Sequence, residues 1–159
     1  MDDPIVSRFR ETILDLGRHE KIEVVSQSDT RSINSLLRRI EGEDTIFVFK
    51  NEKTFSIVEQ KVEEHNLPKV FLRDELVLCP MENNMVPHHT IMSEDDITCK
   101  LQYHNSYQLP RILFSDPIVR WNGWKCGSYI EISRGDDKKY YRHLYCSKRC
   151  DHEGTTRRA

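Results

Sequence analysis

Two clusters in this chain carry residue types able to do chemistry. Glu59-Gln60-Lys61 has the spacing of an acid and a lysine that, on a strand beside a further acid, hold a divalent ion and activate water. Phe55, Val58 and Val62 place that triplet on a helix, however, where two side chains two positions apart diverge. The second cluster is Cys146-Ser147-Lys148-Arg149-Cys150-Asp151-His152, with Cys126 upstream as a further ligand. Zinc favours four thiolate or imidazole ligands, commonly supplied as two close pairs. Only one close pair stands here, in a polar tail, so the expectation is free thiols and no metal. Cys79, Cys99, Cys126, Cys146 and Cys150 are odd in number and lack the spacing of a secreted scaffold, which fits reduced thiols in a cytosolic or nuclear protein.

The histidines add little. His88 and His89 are adjacent, so on a strand they point to opposite faces and read as packing or capping residues. His19, His65 and His104 are isolated among polar residues and read as surface. There is no glycine-rich phosphate loop, no nucleophile elbow and no Cys/His pairing with a third member. Neither a cofactor nor a small-molecule substrate is expected.

The elements that would position these residues fall into two sets. Asp3-Pro4 starts a helix with Ile5, Phe9, Ile13 and Leu16 on one side, ending at Gly17. Lys21–Val25 is a short strand. Asp29 or Thr30 caps a second helix through Ile33, Leu36, Leu37 and Ile40, which Gly42 ends. Thr45–Phe49 is a continuous β-branched and aromatic run, typical of a strand buried on both faces. A third helix around Phe55, Val58 and Val62 stops by Pro68, and Val70–Leu72 and Glu75–Cys79 read as two more strands. Alternating strands and helices give an α/β N-terminal domain, a small parallel sheet with crossover helices. Pro80 and the polar 81–84 stretch read as a hinge with few apolar residues to hold the halves together. Beyond it lies an α+β C-terminal module, a small mixed sheet with short helices, built from segments near Met85, Leu109, Tyr129 and Tyr140. Ser93-Glu94-Asp95-Asp96 opens a helix there. The expected boundaries are 1–80, 81–146 and a polar tail, 147–159.

Charge is distributed unevenly. Residues 1–99 hold 12 Lys/Arg against 20 Asp/Glu, whereas residues 100–159 hold 12 against 6. Solvated faces account for this, and so does a basic module that docks on an acidic protein surface or lies near nucleic acid. No apolar run approaches the ~18–20 residues needed to span a bilayer, and the N-terminus has no apolar signal core, so an intracellular protein without a membrane partner is expected.

The most constrained stretch is 109–127, LPRILFSDPIVRWNGWKCG. Ser115 is placed to cap a short helix whose first turn holds Asp116 and Pro117, with Ile118, Val119 and Trp121 as its apolar side and Gly123 as its stop. Asp116 and Arg120, one turn apart, are expected to pair and present a fixed guanidinium. With Met85-Val86-Pro87-His88 before it, Ser93-Glu94 between and Tyr140-Tyr141-Arg142 after it, this stretch resembles the C-terminal module of the fifth subunit of eukaryotic RNA polymerases and of its archaeal counterpart. The family pattern is roughly VPxH…LSE…LPRI…SDPxxRxxGxxxG…Y.YR, and the match runs from about Met85 to Leu144. Where the family usually carries a small hydroxyl and an acid after Arg134, this chain has Gly135-Asp136-Asp137-Lys138-Lys139.

The resemblance implies a non-catalytic subunit of a multisubunit DNA-directed RNA polymerase. Nucleotide addition and its Mg²⁺ would belong to the two largest subunits. The C-terminal module would brace the lower jaw of the largest subunit, with Pro110, Arg111, Asp116, Pro117, Arg120, Trp124, Arg134 and Arg142 as interface residues. Arg111, Arg134 and Arg142 sit on or next to strands, spaced so that several can share one edge or face, with a solvated sheet face as the alternative, and Arg120 and Trp124 are expected to anchor the partner. The N-terminal domain would be a shortened jaw beside downstream duplex DNA, touching phosphates through Arg38, Arg39 and Lys53. A shortened jaw of this kind resembles copies carried by large DNA viruses, which would locate the protein in the host nucleus or cytoplasm, or in the virion; a cellular copy would be nuclear. The alternatives are a free-standing nucleic-acid-processing enzyme of nuclease ancestry and a transcription regulator using the same docking module.

Overall fold

The first helix, α1 (Pro4–Asp15), starts as its residue types require: Asp3 accepts a hydrogen bond from the Ile5 N–H and Pro4 occupies a position that needs no N–H. The structure is a computed structural model that describes residues 3–26, 32–102 and 108–145. Strands β1 (Lys21–Val25), β2 (Thr45–Phe49) and β3 (Val70–Leu72) form a parallel sheet in that order, with Lys21 opposite Thr45 and Phe47 opposite Val70. Helices α2 (Ile33–Gly42) and α3 (Glu52–Lys61) make the crossovers.

Strand alternation explains why all of β2 is buried. Ile46, Val48 and Phe71 pack against Val6, Phe9 and Ile13 of α1, while Phe47, Phe49 and Val70 pack against Leu36 and Ile40 of α2 and Phe55 and Val58 of α3. The sheet is therefore the middle of three layers, as its uninterrupted apolar strand requires.

Several local expectations change. The candidate caps Asp29 and Thr30 lie outside the described residues, and α2 begins at Ile33. Helix α3 ends at Lys61, with Val62 just beyond it, and Pro68 lies inside a separate 3-10 turn, Glu64–Lys69. Glu75–Cys79 is not a strand. Arg73–Val77 forms a 3-10 turn, because Glu75 accepts a hydrogen bond from the Leu72 N–H and folds the chain back over the end of β3. That turn directs Leu76 and Cys79 into the α1 side of the core.

The second sheet is mixed. Strands β4 (His88–Ile91), β5 (Arg111–Leu113), β6 (Tyr129–Arg134) and β7 (Lys138–Tyr145) lie in the order β4-β6-β7-β5. β6 is antiparallel to β4 and β7, and β5 runs parallel to β7. The β6–β7 hairpin turns through Gly135, Asp136 and Asp137, all at positive φ, a conformation that glycine and aspartate tolerate best. Ser93 caps helix α4 (Glu94–Leu101) by accepting from the Asp96 N–H, as its sequence anticipates. Lys100 of α4 and Lys139 of β7 both reach Glu131, at 2.8 and 2.7 Å, and their hydrogen bonds hold its carboxyl below the usual carboxylate range.

The two sheets share one helix. In α5 (Pro117–Asn122), Val119 packs with Ile112, Ile130, Ile132 and Leu144 of the second sheet, whereas Trp121 lies among Phe9 and Ile13 of α1 and Phe71 of the first sheet. Trp121 meets the Phe9 ring edge-on, with centroids 4.9 Å apart. The expectation that few apolar residues hold the halves together across residues 80–84 is thus corrected.

Candidate functional site

Helix α5 organises the residues singled out from the sequence. Its cap is Asp116 rather than Ser115: the Asp116 carboxylate accepts the Ile118 N–H at 3.0 Å and Pro117 takes the first helical position. Gly123 closes the helix in the left-handed conformation at φ +67°. There is little room beside it, since a Cβ at this position would lie 2.8 Å from the Arg18 guanidinium carbon.

Arg18 is the residue that sequence reasoning missed. It sits just past α1, is only 7% exposed, and no local pattern distinguishes it from a surface arginine. Its Nη1 donates to the carbonyls of Arg120 and Trp121 at 2.9 and 3.1 Å, and its Nη2 to that of Pro68 at 3.0 Å. A buried guanidinium thereby satisfies carbonyls at the end of α5, where no further helical N–H follows. Glu20 supplies the counter-charge at 2.6 Å. Burial pushes the Glu20 carboxyl upward, but the Arg18 hydrogen bonds and charge outweigh it, and the group titrates below its usual range.

The expected Asp116–Arg120 pair does not form. Arg120 turns toward the first sheet, where it donates to Glu75 at 2.9 Å and to the Val70 carbonyl at 2.6 Å and lies over the Phe71 ring at 4.8 Å. It is a tie within the chain rather than a guanidinium presented outward. Trp124 is half-buried against the second core. Pro110 is exposed, and its carbonyl accepts the His143 N–H.

The remaining arginines divide between the two faces of the second sheet. Arg111, Arg134 and Arg142 line one open groove of about 590 Å³ between the start of α5 and the second sheet, with Pro87, His89, Asp116 and Pro117 beside them. Arg134 and Arg142 alternate onto the same sheet face as Ile130 and Ile132, whereas Arg111, at the edge strand β5 and opposite His143, projects from the other face, and its carbonyl accepts from Arg142. Arg111 lies over the Tyr145 ring at 4.4 Å and Arg134 over Tyr140 at 5.3 Å. His89 donates from Nδ1 to the Pro87 carbonyl, 2.7 Å away. Leu113, Ile118 and Ile132 complete the lining, and the sequence had not connected them with the arginines.

The residues expected near DNA differ among themselves. Arg38 and Lys53 are exposed. Arg39 is instead paired with Glu23 at 2.6 Å and Glu43 at 3.1 Å, which raises its pKa and leaves its charge compensated within the chain. Glu59 and Lys61 lie exposed at the end of α3, on a helix as expected. Among the described residues no group of three His, Cys, Asp or Glu side chains is arranged to hold a metal ion. Cys146, Cys150 and His152 lie outside the described residues, as does the tail 147–159. Cys79 and Cys99 are free thiols, but Cys126 is disulfide-bonded, against the expectation that all five cysteines are reduced.

Comparison with known proteins agrees with this geometry. Residues 79–145, which include the whole second sheet, match the family described as RNA polymerase Rpb5, C-terminal domain. The chain is also 31% identical over 70 residues to DNA-directed RNA polymerase subunit Rpo5 of the archaeon Methanococcoides burtonii, an alignment that covers 40% of this chain and 90% of the relative. The capped helix, its left-handed glycine and the sheet that receives them all lie within the matched residues, and the chain belongs to the Rpb5/Rpo5 family of DNA-directed RNA polymerase subunits.

Proposed function

We propose that this chain is a non-catalytic subunit that braces the lower jaw of the polymerase's largest subunit through its second sheet, while its first sheet faces the downstream duplex. The observation that carries the reading is the basic groove beside α5. It brings Arg134 and Arg142, two of the arginines expected at the interface, onto one sheet face inside the span matched by the family. Nucleotide addition, in this reading, rests with the two largest subunits. Contact with DNA is to phosphates, since a polymerase passes any sequence, and Arg38 and Lys53 are the exposed cations available for it. A residence wherever that polymerase works, and an origin as a virus-encoded copy with a shortened jaw, belong to the same proposal.

The test is isolation of the tagged chain at its natural expression level. Co-purification with two very large subunits in constant ratio supports the reading, and recovery as a lone monomer refutes it. Duplex affinity of the assembled polymerase should fall when Arg38 and Lys53 are both replaced by Gln, with a shallower dependence on salt. Unchanged affinity and salt slope would remove the DNA-facing role while leaving the bracing role standing.

A further inference from the structure

The two edges of the second sheet are finished differently. On edge strand β5, the Pro110 carbonyl and the Phe114 N–H bond inward to β7, so the main-chain groups of Arg111 and Leu113 point outward. Both outward carbonyls find donors within the chain. The Arg142 guanidinium donates to that of Arg111 at 3.3 Å, and the Asp116 N–H to that of Leu113 at 3.1 Å. Edge strand β4 has no such finish. The Met92 N–H donates to the Tyr129 carbonyl at 2.9 Å, which fixes the phase of the antiparallel ladder. His88 and Thr90 therefore bond inward to β6, and the N–H and C=O of His89 and Ile91 point out from the free edge. Among the described residues nothing bonds to these four groups. Nor does β4 carry the usual protection of an edge, since His88–Ile91 holds no lysine, acid, proline or bulge. Edge strand β1 of the first sheet, by contrast, carries Lys21 and Glu23. The β4 edge is also apolar where a sheet normally turns polar: Ile91 is 45% exposed although it stands beside the fully buried Ile130.

We infer that the free edge of β4 receives an extended segment of another polymerase subunit, which adds a strand to the second sheet through the main-chain groups of His89 and Ile91 and packs an apolar side chain against Ile91. The inference rests on the polymerase reading and adds how the partner is held. Alternating N–H and C=O groups in one line are complemented by an extended peptide. A phosphodiester backbone offers acceptors and would leave both carbonyls unpaired. A second copy of this chain also fits less well. The self-pairing within β4 that satisfies all four groups is centred on Thr90, and it sets each exposed Ile91 against a histidine rather than an apolar side chain.

The experiment measures amide hydrogen exchange residue by residue, by fragmentation mass spectrometry, on the full chain alone and inside purified polymerase. Alone, the Thr90 amide should exchange slowly and those of His89 and Ile91 fast. In polymerase the His89 and Ile91 amides should slow about tenfold or more, with Thr90 little changed. Unchanged exchange at His89 and Ile91 in polymerase that contains the chain overturns the inference. Slow exchange there in the isolated chain, together with dimerisation, makes a second copy the occupant and overturns it too. In parallel, Ile91→Pro removes an outward N–H and no bond to β6, so circular dichroism and Tm of the isolated variant should stay near wild type. Its retention in polymerase should be about tenfold or more below that of Ile91→Ala, which loses the side chain but keeps the N–H. Equal retention of the two variants also overturns the inference, and exchange in the unaltered chain remains decisive where the proline variant does not fold. Failure of the unmodified chain to co-purify with polymerase would instead refute the polymerase reading itself, and this inference with it.

Discussion

Replacing Arg18 by Met should destabilise the whole chain, because one buried cation joins three segments distant in sequence. Arg18 is 7% exposed and donates to the carbonyls of Pro68, Arg120 and Trp121 and to the Glu20 carboxylate. Methionine keeps much of the side-chain volume, so the loss is polar rather than a cavity. Breaking a buried ion pair by removing one partner costs about 3–5 kcal/mol. Two details set the value here. Glu20 retains 18% exposure, so water partly solvates the abandoned carboxylate. The Arg120 carbonyl also keeps the Gly123 N–H as a donor, at 3.3 Å. The lower end, about 3 kcal/mol, is therefore expected. In a chain of this length that corresponds to a fall in Tm of about 6–12 °C. Urea titration followed by tryptophan fluorescence and by far-UV circular dichroism reads both sheets, since Trp121 sits in the first core and Trp124 packs on the second. Adding Glu20→Gln should return about 1 kcal/mol, because a neutral amide is easier to leave unpaired than a carboxylate. A loss below about 1 kcal/mol for Arg18→Met would refute the clamp. So would a double variant no more stable than the single one.

Gly123→Ala should lose about 1–2 kcal/mol from the left-handed backbone alone, and more because its Cβ displaces the Arg18 guanidinium; thermal melts of Gly123→Ala with and without Arg18→Met should show less than additive losses. Arg120→Ala should lower stability by about 1.5–3 kcal/mol, since it leaves the Val70 carbonyl and Glu75 without their donor, and an unchanged denaturation midpoint would assign Arg120 outward after all. The pH response has a definite sign. Glu131 and Glu20 titrate lower in the folded chain than in the unfolded one, so their stabilisation is complete above the ordinary carboxylate range and is lost as pH falls through their folded values. Glu131→Gln should therefore lower Tm near neutral pH and flatten its decline in acid; an acid limb as steep as wild type would show that the Lys100 and Lys139 contacts carry no such linkage.

The elements legible in the sequence are those settled by neighbouring residues. Thr45–Phe49 is apolar at every position after its first and is the central buried strand; Asp3-Pro4 and Ser93 stand where helix ends need acceptors; Gly123 sits where the chain must turn left-handed. The ordered residues from Met85 to Leu144 sufficed to recognise the family, because turn and cap positions tolerate few residue types. Glu75–Cys79 was misread because its alternation suits a strand, and only the hydrogen bond from the Leu72 N–H to Glu75 favours the 3-10 turn. Arg120 was misread for a related reason. One turn from Asp116, it had a local partner by spacing, but Glu75 and the Val70 carbonyl, brought close only by folding, offer a more buried one. Arg18 had no local signal at all. Its role depends on carbonyls 50, 102 and 103 residues away, and long-range polar contacts of that kind leave no periodicity to read. The same holds for the groove: Arg134 and Arg142, on separate strands, share one face only when β6 and β7 pair in register, and the same pairing sends Arg111 of β5 to the other face.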